Sequence, residues 1–168
     1  KSLAKTFGYT STMQSPRIAK VIISSGVGKK RDKKQLELIE DRLAKITGQK
    51  PAARAAKTSI AAFKVREGDT VGLQTTLRGA RMYDFLERLV SSAIPRMRDF
   101  RGIPLSGVDQ GGSLTIGIKE HIIFPETITE DIRTLFGFQI SVVTSAHNRE
   151  EATELFRLLG FPLEQKNG

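Results

Sequence analysis

Three stretches of this chain alternate between apolar and polar residues with a period of two, and that pattern restricts the fold more than any other feature. In residues 70–78, Val71, Leu73, Thr75 and Leu77 fall on one side of an extended backbone, with Gly72, Gln74, Thr76 and Arg78 on the other. Residues 113–119 set Leu114, Ile116 and Ile118 against Ser113, Thr115, Gly117 and Lys119, and residues 138–145 set Phe138, Ile140 and Val142 against Gln139 and Ser141. Successive side chains of a strand point to opposite faces, so each segment offers one face to a core and one to solvent or a ligand. A further strand is expected over residues 18–25, rich in Ile and Val, with Gly26-Val27-Gly28 turning the chain after it.

Between these segments the period changes to that of a helix. From about Lys30 to Ile46, the residues Leu36, Ile39, Leu43 and Ile46 form one apolar stripe that Gly48 terminates. A second helix over about 80–94 turns Met82, Phe85, Leu86, Leu89, Val90 and Ala93 inward and ends at Pro95. A third starts at Asn148, whose side chain can cap free amides with Glu151 three residues on, and buries Ala152, Leu155, Phe156 and Leu159 before Gly160. Leu3, Phe7 and Tyr9 read as the tail of a short helix ending near Gly8. Residues 49–69 are less regular, carry Lys50, Arg54, Lys57, Lys64 and Arg66 beside Phe63, and are expected to form a mobile basic loop between short strands. No repeat, low-complexity tract or linker interrupts the pattern. Residues 1–168 are therefore read as one domain of the α+β class, an antiparallel sheet with helices packed on one face and an open polar face of Gln, Thr, Ser, Lys and Arg.

Charge suggests what that open face would meet. Lys and Arg number 27 against 18 Asp and Glu, a formal charge of +9 with a pI near 10.0. Residues 1–101 hold 22 basic and 9 acidic side chains, whereas 102–168 hold 5 and 9, so the basic surface is expected on the N-terminal part of the fold. Arginine recurs at Arg78, Arg81, Arg88, Arg96, Arg98 and Arg101 around one helical stripe, and its planar donor fork matches phosphate oxygens. Lys20, Lys29, Lys30, Arg78 and Arg81 are candidate phosphate partners. A membrane is the weaker candidate, because no apolar run approaches the ~20 residues of a spanning helix. No zinc signature or DNA-recognition helix is visible, whereas an open sheet with basic loops suits structured RNA, which is read through backbone, 2′-hydroxyls and shape.

Catalytic chemistry finds little support. The run from Ser24 to Lys30 has a strand, a glycine turn and a helix start, but only one residue separates Gly26 from Gly28, which fails the phosphate-loop spacing. His121 and His147 are the two histidines, neither has a second ligand at metal spacing, and the absence of Cys excludes thiolate sites and disulfides. Glu126, Glu130 and Asp131 read as favourable charge near a helix N-terminus. An enzyme, a metal and a cofactor are all unexpected. A chain that starts at Lys1 without an apolar leader is expected to lack some N-terminal residues and to stay inside the cell.

An ordered set of segments also resembles one family. Gly26-Val27-Gly28, residues 46–51 (Ile-Thr-Gly-Gln-Lys-Pro), residues 57–66 (Lys-Thr-Ser-Ile-Ala-Ala-Phe-Lys-Val-Arg), Thr76-Leu77-Arg78-Gly79, residues 95–102 (Pro-Arg-Met-Arg-Asp-Phe-Arg-Gly) and residues 120–126 (Glu-His-Ile-Ile-Phe-Pro-Glu) are similar, in that order, to bacterial-type large-subunit ribosomal protein five. The similarity runs from about Phe7 to Pro162. It implies a structural constituent of the central protuberance that holds 5S rRNA against the large-subunit rRNA in a cytoplasmic or organellar ribosome. The family's 5S rRNA contacts carry over onto Lys20, Ser24, Gln49, Thr76 and Arg78, with Ser24 standing where the family usually has Asn. The loop with Lys57, Ser59, Phe63, Lys64 and Arg66 is implied to reach P-site tRNA, and another surface to meet a small-subunit protein in an intersubunit bridge. The competing expectation is a free-standing RNA-binding or chaperone-like protein using the same face off the ribosome.

Overall fold

The computed structural model describes residues 2–28, 32–98, 100–127 and 135–164. Strands β1 (Ile18–Gly26), β2 (Ala52–Ala55), β3 (Thr70–Leu77), β4 (Leu114–Ile118) and β5 (Phe138–Thr144) form one sheet in the order β2-β3-β1-β5-β4. Every neighbouring pair is antiparallel. Register follows the hydrophobic alternation, since a slip of one residue would turn every apolar side chain to the wrong face. Val21 lies opposite Leu77 and Val142, Ile23 opposite Thr75 and Ile140, and Ile116 opposite Ile140.

These inward residues share one core with the helices α2 (Lys33–Thr47), α3 (Ala80–Arg88) and α4 (Arg149–Leu158). Ile39, Leu43 and Ile46 enter it from α2, Met82, Phe85 and Leu86 from α3, and Ala152 and Phe156 from α4. Phe124 links the layers, 5.8 Å from the Phe85 ring and 6.0 Å from that of Phe138. The short helix α1 (Ser2–Phe7) precedes Gly8, which has a φ of 68°.

Several boundaries differ from the sequence reading. Helix α2 starts at Lys33 and not near Lys30, because the Asp32 side chain caps it by accepting from the Lys34 amide at 3.4 Å. The α3 segment does not run as one helix to Pro95. Its hydrogen bonding widens to a π turn over Leu89–Ala93 and then tightens to a 3₁₀ turn over Ile94–Arg96, which holds Pro95 at its start where no amide donor is needed. Leu159 is exposed, contrary to the expected stripe, because α4 has ended at Leu158 and Gly160 (φ 84°) turns the chain so that Phe161 packs on Phe156 instead. Residues 49–69 contain more order than a mobile loop would, as described below.

Candidate nucleic-acid interface

The sheet face away from the helices carries Lys20, Ile22 and Ser24 from β1, Gln74 and Thr76 from β3, Gln139, Ser141 and Val143 from β5, and Thr115 from β4. Register aligns them in rows: Gln74, Ser24 and Gln139 are cross-strand neighbours, as are Thr76, Ile22, Ser141 and Thr115. The five strands contain no Asp or Glu, so the face is neutral in its middle with cations at its flank. Some of its groups already bond one another: Gln139 Nε2 donates to Ser141 Oγ at 3.2 Å, and Arg54 Nε donates to Gln74 Oε1 at 2.6 Å.

Gln49 reaches the β3 backbone because of how α2 ends. Gly48 takes the left-handed conformation (φ 69°) and its amide donates to the Ala44 carbonyl, so the chain reverses out of the helix. The buried Thr47 hydroxyl bonds the Leu43 and Gln49 carbonyls at 2.7 and 2.9 Å, which fixes the exit. Gln49 Nε2 then donates to the Thr76 carbonyl at 3.3 Å. Lys20, Ser24 and Thr76 thus share one side of the sheet, and Gln49 is tied to the β3 backbone at Thr76, all four half-buried. Arg78 follows β3 and is exposed, and Gly79 (φ 62°) turns the chain into α3, whose first turn exposes Arg81. The sequence reading put Arg54 in the basic loop and not on the sheet. Its Ala neighbours gave no alternation to orient it, whereas β2 pairing with β3 sets it opposite Gly72 beside Gln74.

The stretch with Lys57, Ser59, Phe63, Lys64 and Arg66 forms a tight hairpin. Ile60 and Val65 exchange both backbone hydrogen bonds, at 2.9 and 3.2 Å, across a 3₁₀ turn (Ala61–Phe63) closed by Lys64 in the left-handed region (φ 50°). Ser59 Oγ accepts from the Glu67 amide and Asp69 accepts from the Arg66 amide, both at 2.9 Å, fastening the base of the hairpin. The expected mobile loop is therefore a braced projection, with Lys57, Phe63, Lys64 and Arg66 exposed.

Other charged residues are engaged within the protein, half-buried in the case of Arg88 and fully buried in that of Arg42. Arg88, counted among the arginines suggesting phosphate contacts, has Nη1 2.7 Å from Glu126 and donates from Nη2 to the Ile46 carbonyl at 3.1 Å, tying α3 to the end of α2. Glu126 lies in the first turn of a 3₁₀ helix (Pro125–Thr127), as the sequence reading of charge near a helix N-terminus expects, and it also holds this ion pair. Glu130, Asp131, Lys29 and Lys30 lie outside the described residues. Arg42 is buried with Nη1 3.1 Å from His121 Nε2, and the His121 ring stacks on Phe136 at 4.3 Å, so this histidine is structural. Sequence periodicity missed Arg42, which sits inside the stripe of Ile39, Leu43 and Ile46.

The glycine turn after β1 is a poor phosphate cradle, because the Val27 amide donates to the Val71 carbonyl at 2.9 Å. Arg96, Arg98 and Arg101 are exposed and line a groove of about 720 Å³ with Lys119 and Phe100. Among the described residues there is no group of three or more metal-ligating side chains and no helix long and apolar enough to cross a membrane.

Comparison with known proteins places the chain in a family. Residues 11–66 match the family model described as "Ribosomal protein L5", and residues 70–163 match the model of the C-terminus of the same ribosomal protein family. The chain is 50% identical over 163 residues to "Large ribosomal subunit protein uL5" of Malacoplasma penetrans (strain HF-2), covering 96% of this chain and 87% of that protein. It is 48% identical over 164 residues to the protein of the same description from Mycoplasma pneumoniae (strain ATCC 29342 / M129 / Subtype 1), covering 97% and 91%. Against that of Alkaliphilus metalliredigens (strain QYMF) the identity is 47% over 162 residues, covering 96% and 90%.

Proposed function

This chain belongs to the ribosomal protein L5 family, structural and non-enzymatic constituents of the large ribosomal subunit whose partners are rRNA and other ribosomal proteins, and from that premise we propose that its open sheet face binds 5S rRNA. The observation that carries this reading is the sharing of one acid-free face by Lys20, Ser24 and Thr76, with Gln49 bonded to the β3 backbone at Thr76 and Arg78 just beyond the strand. Hydroxyls and amides in the middle of the face suit the 2′-hydroxyls and base edges of a shallow RNA groove, while Lys20, Arg78 and Arg81 suit the phosphates along its rim. With Lys29 and Lys30 they form the candidate contact set. Bound this way, the chain holds 5S rRNA against the large-subunit rRNA in the central protuberance, as one domain formed by residues 1–168.

The same reading gives the hairpin to the P-site tRNA. It projects from the β2 and β3 edge of the sheet, so Lys57, Ser59, Phe63, Lys64 and Arg66 can address a second RNA without sharing the first one's contacts. A separate surface meets a small-subunit protein across the subunit boundary. On this reading the protein works on ribosomes in the cytoplasm, or in an organelle.

The deciding measurement is binding of the purified chain to its own 5S rRNA with chemical footprinting. A compact protected segment, lost together with affinity when Gln49 and Arg78 are replaced, is the expected result. Uniform weak protection of any RNA would leave only a non-specific polycation.

A further inference from the structure

The hairpin tip has the wrong chemistry for a purely electrostatic contact. Its two large apolar side chains, Ile60 and Phe63, are 45% and 72% exposed, and Ala61 and Ala62 between them are exposed as well. The tip is braced by the Ile60 and Val65 backbone pair and by the left-handed Lys64, which holds Phe63 on a fixed support. Around it stand Lys57, Lys64 and Arg66, and the sequence has no Asp or Glu between Asp41 and Glu67. An aromatic ring at a tip that carries cations, with the acids Glu67 and Asp69 kept to its base, suits a nucleic acid, whose bases offer flat faces and whose phosphates attract the flanking charges. Two apolar side chains are too few for a stable protein interface, which buries roughly 800 Å² per partner.

Resting on the tRNA reading above, we propose that Phe63 stacks on the flat face of a nucleobase of the bound tRNA, with Ile60 packed at the ring's edge and Lys57, Lys64 and Arg66 on neighbouring phosphates. Stacking needs a π face and not merely apolar bulk. Its contribution is insensitive to salt, unlike that of the cations. Bracing of the tip limits the ordering entropy lost when the contact forms.

The test uses large subunits reconstituted with variant chains and carrying P-site tRNA. Phe63→Ala should speed tRNA release about tenfold, by a ratio that does not change with salt, and Phe63→Leu should do nearly the same while Phe63→Tyr retains tRNA. The chain has no Trp, so Phe63→Trp made with 5-fluorotryptophan places a single fluorine in the subunit. Its resonance should move upfield when tRNA binds. Retention by Phe63→Leu, or an unmoved resonance while tRNA is bound, overturns stacking. Replacing Lys57, Lys64 and Arg66 together separates the two levels of the argument. If that variant loses tRNA and Phe63→Ala does not, stacking alone is wrong. If neither variant affects release, the tRNA reading fails with it.

Discussion

Arg42 and Arg88 are held by other groups of the protein while Arg78 and Arg81 face solvent, although all four lie within the basic two-thirds of the chain. Arg42 is 2% exposed beside His121, and Arg88 joins Glu126 to the Ile46 carbonyl near the end of α2. Arg78 and Arg81 flank Gly79 at the turn from β3 into α3 and are exposed. Net charge therefore overstates the RNA-facing surface, because part of the arginine content holds helix to helix. The two pairs should separate by experiment, the first changing stability and the second changing affinity.

The largest effect is expected at Arg42. Truncating a buried, hydrogen-bonded guanidinium leaves a cavity and strips the Nε2 side of His121, which costs about 3 kcal/mol. Arg42→Ala should lower the melting temperature by about 6–12 °C for a domain of this size, measured by circular dichroism. Affinity for 5S rRNA, extrapolated to the folded fraction, should stay unchanged. A stable Arg42→Ala protein that has lost RNA would reverse the comparison.

Arg88→Ala should cost less, about 1–2 kcal/mol of stability, because its ion pair is partly exposed and the bond to the Ile46 carbonyl is a single contact. Its RNA affinity should match the wild type at equal folded concentration in filter binding. Arg78→Ala should show the opposite pattern, with melting unchanged and 5S rRNA binding weakened by about 1–3 kcal/mol. Thr76→Val on the same face removes one hydroxyl and should weaken binding by about 1 kcal/mol or less. Equal affinity for Arg78→Ala and wild type would remove the open face from the RNA contact.

How far the sequence discloses this division depends on the kind of signal. Period-two alternation located β3, β4 and β5 within a residue or two and oriented Gln74, Thr76 and Gln139 outward, because burial of one sheet face imposes that period. Capping chemistry located the start of α4 at Asn148, whose side chain accepts from the Glu151 amide at 2.8 Å. Neither signal carries pairing information across the chain. Nothing near Arg88 in sequence shows that Glu126, 38 positions away, will meet it, and nothing near Ile60 shows that it will pair with Val65 to brace the hairpin. The position of Gln49 beside Thr76 likewise depends on the left-handed exit at Gly48 and on tertiary packing. The proposed 5S rRNA contact positions came from family resemblance, and the fold sets residues 20, 24 and 76 on one face with Gln49 tied to the β3 backbone.

The smallest effect gives the sharpest form of the comparison, because it counts phosphates and not kilocalories. If the exposed cations of the N-terminal part neutralise phosphates, the logarithm of 5S rRNA affinity should fall linearly with the logarithm of salt concentration. Removing Lys20, Arg78 or Arg81 singly should flatten that slope by up to about one unit. Arg149 and Arg157 should leave it unchanged, since Arg149 donates to the Leu105 carbonyl at 2.6 Å and Arg157 lies 3.7 Å from Glu154, on a helix packed behind the sheet. Arg88→Ala should also leave the slope unchanged, because its charge is offset by Glu126 before RNA arrives. If Arg149, Arg157 and Arg88 each changed the slope as much as Arg78, the chain would act as a diffuse positive field, and the distinction between held and solvent-facing arginines would not extend to RNA binding.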